Sequence, residues 1–77
     1  MNDKLTELMA EILKIPQSAI IDDLEMMDIP AWDSLKHMEL IVCLEQRFGM
    51  ELTFDEIIAM RCVREIRRIL FQRGVNI

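Results

Sequence analysis

Trp32-Asp33-Ser34-Leu35-Lys36-His37-Met38-Glu39-Leu40-Ile41-Val42-Cys43-Leu44-Glu45-Gln46-Arg47-Phe48-Gly49 is the stretch on which the reading of this chain turns. Leu35, Met38, Ile41, Val42 and Leu44 recur at helical spacing, and Gly49 stands where a left-handed cap ends a helix. The spacing predicts a helix over residues 34–47. Asp33 is placed to cap it, its carboxylate accepting from the N–H of Leu35 or Lys36. Ser34 then becomes the first helical residue, with its hydroxyl in solvent. The first N–H groups of a helix lack partners inside it, and the aligned peptide dipoles leave partial positive charge there. An anion attached to this hydroxyl is therefore stabilised. Asp-Ser ahead of an apolar run is by itself more often a cap than a site, so the surrounding pattern has to decide.

Upstream, Leu5, Leu8, Met9, Ile12 and Leu13 share one face of a helix expected over residues 3–14. Asn2 or Asp3 can cap it, and Ile15-Pro16 stops it, because proline disfavours the helical conformation in the residue ahead. Residues 17–30 form a long connection with a short turn at Ser18-Ala19-Ile20. Ile20, Ile21, Leu24, Met27 and Ile29 are expected to anchor it to the core. Long ordered loops in small domains are often functional, and this one delivers the chain to Ser34. Downstream, a short helix is expected over residues 55–60, with Thr53 as its cap, and a last one over residues 63–72, ending near Gly74. The expected fold is all-α: a small antiparallel four-helix bundle of three longer helices and a short third. A long loop joins the first two helices, and one domain spans residues 1–77.

At 77 residues the chain is close to the size at which a single core becomes marginal, which leaves little room for a deep catalytic cleft. Hydrophobic residues make up 52% of it, but only 5% are aromatic and seven are methionine, so the core should be aliphatic and adaptable. No apolar run approaches the length of a membrane span, and the first twenty residues hold no signal-peptide core. A soluble, cytoplasmic protein is expected. Cys43 and Cys62 lack metal-ligand spacing and are expected to be reduced, buried or half-buried thiols.

Residues 1–56 carry four basic and thirteen acidic side chains, a net −9, whereas residues 57–77 carry five arginines and Glu65, a net +4. The overall −5 argues against nucleic acid and favours partners that present lysine and arginine. Two glycines are too few for a phosphate-cradling loop. The acidic run from Asp22 to Asp28 lacks the glycine and terminal glutamate of an EF-hand. His37 lies three positions after Ser34, yet no GxSxG elbow or oxyanion hole accompanies the pair. A Ser-His-Asp hydrolase is therefore rejected.

In their order and spacing, Asp33-Ser34-Leu35, the apolar helix after it, Met50-Glu51-Leu52-Thr53, the acidic piece from Asp55 and the apolar helix from Val63 form one pattern. With it the chain resembles an acyl carrier protein of the phosphopantetheine-binding type over nearly its whole length. The resemblance implies 4′-phosphopantetheine joined to Ser34 by a phosphodiester, with Asp33 flanking it, and an acyl or aminoacyl group held as a thioester on the distal thiol. It also implies a carrier that is not itself an enzyme, whose partners are a phosphopantetheinyl transferase, acyl or aminoacyl ligases and transferases, and synthases with basic docking surfaces; a monomer is expected.

Carried over position by position, the family's recognition surface falls on Leu35, Met38, Glu39, Val42 and Glu45. Lys36, Gln46 and Arg47 stand where fatty-acid carriers commonly have acids, and Pro30-Ala31-Trp32 stands where they usually have glycine. These departures look more like carriers of polyketide, nonribosomal-peptide or surface-polysaccharide pathways. Trp32 is expected to plug the bundle rather than meet partners. The resemblance sets Ile57 and Met60 against the inner acyl cleft, where their bulk implies a shallow pocket and short or polar cargo. Arg61, Arg64, Arg67, Arg68 and Arg73 are read as a solvated face, with a docking patch as the alternative. The competing reading of the whole chain is a cofactor-free helical adaptor that binds a partner helix in a methionine-lined groove.

Overall fold

The apolar periodicities become four helices, each within one residue of its expected bounds. A computed structural model describes residues 3–75. Its elements are α1 (Lys4–Leu13), α2 (Ser34–Phe48), α3 (Phe54–Ala59) and α4 (Val63–Gln72), with single 3₁₀ turns at Gln17–Ala19 and Met26–Asp28 in the long connection. No strand occurs among the described residues; Glu25 and Cys62 form one isolated antiparallel bridge.

Local chemistry sets the helix ends. Asp3 caps α1 by accepting from the Thr6 N–H at 2.8 Å, and the alternative cap Asn2 lies outside the described residues. Lys14 closes α1 in the left-handed region at φ 58°, its N–H returning to the Ala10 carbonyl; without a glycine there, the reversal ahead of Pro16 costs roughly 1 kcal/mol. Gly49 takes the same conformation after α2 at φ 61° without that penalty. Thr53 and Glu56 cap α3 reciprocally, each side chain accepting from the other's backbone N–H. No side chain caps α4. Its first N–H groups are met by the long connection instead: Val63 donates to the Leu24 carbonyl and Arg64 to that of Asp22, both at 3.0 Å.

Leu5 and Met9 of α1, Leu40, Ile41 and Leu44 of α2, Met60, and Val63, Ile66 and Leu70 of α4 form the fully buried core, with Trp32 among them. Each such side chain contributes about 1.5–3 kcal/mol relative to leaving it in water. Cys43 and Cys62 are half-buried. Two expected anchors of the connection are displaced. Ile20 is buried and Leu24 and Ile29 pack against the core, but Ile21 and Met27 are exposed, Met27 to 81%. Met26 takes the inward place, because its N–H donates to the Arg61 carbonyl at 2.8 Å and the 3₁₀ turn beginning there swings the next side chain outward.

With extents of 26 × 26 × 20 Å and this packed centre, any functional chemistry has to take place on the surface.

Candidate functional site

Ser34 is the first residue of α2 and is exposed. Asp33 holds the helix start in place: its Oδ1 accepts from the Lys36 N–H at 2.9 Å and its carbonyl accepts from the His37 N–H at 2.8 Å. The N–H groups of Ser34 and Leu35 have no acceptor within the helix. They supply the partial positive charge beside the hydroxyl.

Directly behind this turn, Trp32 is only 1% exposed, as expected of a plug. Its Nε1–H donates to His37 Nδ1 at 3.1 Å, and His37 Nε2 lies 2.9 Å from the Ile57 carbonyl oxygen. An indole nitrogen only donates and a carbonyl only accepts, so a neutral imidazole with its proton on Nε2 satisfies both. His37 therefore braces the loop end and the first turn of α2 against α3. Both ring nitrogens are engaged, so it has no free lone pair to take a proton from Ser34. The Ser-His hydrolase arrangement is absent.

Between α2 and α3 runs an open groove of about 320 Å³. Ser34, His37 and Met38 form one wall and Phe54, Ile57 and Ile58 the other, with Met26 and Arg61 at the remaining edge. Met60 is fully buried, and Ile57 is half-buried at the groove.

The outward face of α2 is apolar around Ser34: Leu35 is 76% exposed, Met38 48% and Val42 47%. Glu39 is exposed on the same helix and pairs with Lys36 at 3.6 Å. Glu45 differs from these four. It is half-buried, and its Oε2 accepts from the Leu52 N–H at 2.9 Å, tying the end of α2 to the segment before α3.

The arginines are more engaged than a solvated face would be. Arg64 pairs with Asp23 at 2.6 Å and Arg68 with Glu65 at 2.6 Å. Arg67 bridges Asp3 and Asp22 and donates to the Thr6 hydroxyl, joining α4, α1 and the connection. Arg73 holds Glu56 at 2.6 Å and the Glu51 carbonyl at 2.7 Å. This Arg73 contact, with the Thr53 N–H, lowers the Glu56 carboxyl to a pKa of about 2. Burial alone would raise the Asp3 carboxyl, but Arg67 and Thr6 outweigh it and hold it below its usual range. Arg61 alone of the five makes no side-chain hydrogen bond or ion pair among the described residues.

Among the described residues no group of histidine, cysteine or carboxylate side chains is arranged to hold a metal ion, and no helix is long and apolar enough to cross a membrane. The exposed hydroxyl at a helix start, beside an open apolar groove, fits a prosthetic group attached through a phosphodiester. A family model described as a phosphopantetheine attachment site matches residues 3–70, and a search of curated proteins returns no match. That family comprises non-catalytic carriers with covalently bound 4′-phosphopantetheine, which interact with a modifying transferase and with biosynthetic enzymes. The match runs from the cap of α1 to the last core leucine of α4, and the chain belongs to the phosphopantetheine-binding carrier proteins.

Proposed function

We propose that Ser34 is the attachment residue and that this chain is an acyl carrier protein, one carrier domain over residues 1–77. The observation that supports this best is the exposure of the Ser34 hydroxyl at the first position of α2. In the loading step, on the transferase, the Ser34 oxygen attacks the phosphorus of coenzyme A that bears the pantetheine. The adenosine bisphosphate half leaves, and the serine proton passes to a base of the transferase. Once attached, the group supplies a terminal thiol that holds acyl or aminoacyl cargo as a thioester.

The chain's own residues then do three things. Asp33 fixes the anchor by capping α2, and the N-terminal N–H groups of that helix complement the phosphodiester charge. The fixed anchor confines the cargo to a small volume around a docked enzyme, which raises its effective concentration. Leu35, Met38, Glu39, Val42 and Glu45 offer an apolar and acidic face to enzymes with basic, partly apolar docking surfaces. Glu45 contributes less than the other four, since one of its oxygens already holds Leu52. Lys36, Gln46 and Arg47 weaken the acidic character of α2, and the bulk of Ile57 at the groove suits short or polar cargo. Both favour a specialised biosynthetic pathway over primary fatty-acid synthesis. We place the protein in the cytoplasm, as a monomer.

Mass spectrometry after incubation with a phosphopantetheinyl transferase and coenzyme A tests the reading. The wild type should gain one phosphopantetheine. Ser34→Ala should gain none, while keeping its helical circular dichroism and melting within a few degrees of wild type, because the serine is exposed and is not the residue that caps α2. An unmodified wild type would favour the adaptor reading, and modified Ser34→Ala would move the anchor elsewhere.

A further inference from the structure

We propose that Arg61 selects cargo carrying a carboxylate besides the thioester, such as the half-thioester of a short dicarboxylic acid. The inference rests on the reading that Ser34 bears the arm.

Arg64, Arg67, Arg68 and Arg73 are each neutralised by a carboxylate within the chain. Arg61 is exposed and lines the same groove as Ser34. Among the described residues it is the only charged side chain of that groove, whose other members are Met26, Ser34, His37, Met38 and the α3 residues. The polar alternatives are already committed: His37 is bonded at both ring nitrogens, and the Ser34 oxygen is used in attachment. Arg61 is thus the one side chain that can read a polar group on whatever lies between α2 and α3.

An uncharged acyl chain would be served by an apolar edge and gains nothing from a guanidinium that must stay hydrated. A carboxylate matches it, since arginine presents paired N–H donors at the spacing of two carboxylate oxygens. Position separates the cargo from the arm's own phosphodiester as the anion. Arg61 also borders a second hollow, shared with Glu25, Met26 and Met27 of the connection and with no residue of α2. Arg61 thus stands at the edge of the groove that also faces the connection, within the space a folded-back arm would occupy. Glu25 also lines that hollow but makes no ion pair with Arg61 among the described residues; its backbone N–H donates to Asp28 Oδ2 at 2.9 Å.

The test loads the chain through the transferase with succinyl-coenzyme A, butyryl-coenzyme A or coenzyme A itself, in wild type and in Arg61→Gln, and checks each product by mass before recording NMR spectra. Absence of mass gain in the wild type would overturn the Ser34 reading and this one with it. With loading complete, the succinyl form should shift the Arg61 Nε–H and the Ile57 and Ile58 methyl resonances beyond the holo form, and the butyryl form should leave Arg61 unmoved. Arg61→Gln should lower the docked-to-free ratio of the succinyl arm about two- to fivefold, the effect of one solvent-exposed charge pair, and leave the butyryl ratio unchanged. The succinyl preference should shrink as salt is raised. If Arg61 shifts fully on forming the holo protein and no further with succinate, its partner is the phosphodiester and the proposal fails. Equal responses to succinyl and butyryl cargo would also overturn it.

Discussion

Trp32, His37 and Ser34 occupy little more than one turn of chain and do opposite things: two are buried to hold the turn still and the third is left in water. The brace can be tested without touching the hydroxyl. Trp32→Phe keeps most of the buried ring but leaves His37 Nδ1 without its donor, so urea unfolding should show a loss of about 1–3 kcal/mol, the cost of an unsatisfied buried polar atom. Loading at Ser34 should persist in the folded fraction. An unchanged unfolding midpoint would mean that the indole–imidazole bond adds nothing. Asp33 and Ser34 were legible in the chain because a cap and the first helical residue are defined by their immediate neighbours. His37 and Glu45 were not. Their partners, the Ile57 carbonyl and the Leu52 N–H, lie twenty and seven residues away, and no local period encodes a bond that exists only after α2, α3 and the segment between them have met.

The connection between α1 and α2 behaves as part of the α4 end of the molecule. Its carbonyls at Asp22 and Leu24 cap the first turn of α4, and Asp22 shares Arg67 with Asp3. Arg67→Gln removes the charge from this three-way junction and leaves the half-buried Asp3 carboxylate without its cation. We expect a loss of about 1–2 kcal/mol, between the values for exposed and buried pairs, and faster amide exchange from Ile20 to Ile29 than in wild type. Exchange that rises equally throughout α1 and α2 would show a general destabilisation instead. The four helices were readable because their apolar residues repeat at a helical period over several turns. The connection was readable only in outline, since a single 3₁₀ turn has no repeat to detect, and the exchange of Met26 for Met27 as anchor depends on a bond to Arg61 from the far end of the chain.

Taken whole, the chain pairs its basic tail with its acidic front, and this makes stability respond to acid. Glu56, lowered to about 2 by Arg73 and the Thr53 N–H, has a folded pKa below its unfolded one. So does Asp3, held below its usual range by Arg67 and the Thr6 N–H in spite of its burial. Groups of this kind stabilise the folded state above the unfolded carboxylate range and lose that contribution as pH falls through the folded value. The melting temperature should therefore decline between about pH 5 and pH 2, and Glu56→Gln should melt lower than wild type at pH 7 and with a shallower decline. Parallel curves for the two proteins would sink this assignment. The buried indole has a further use at this level. The chain contains one tryptophan and no tyrosine, so its near-ultraviolet emission comes essentially from Trp32, sealed in the interior two positions before the serine proposed as the anchor. Blue-shifted fluorescence therefore reports directly, without any added dye, whether the platform beneath a prosthetic arm stays closed while enzymes come and go.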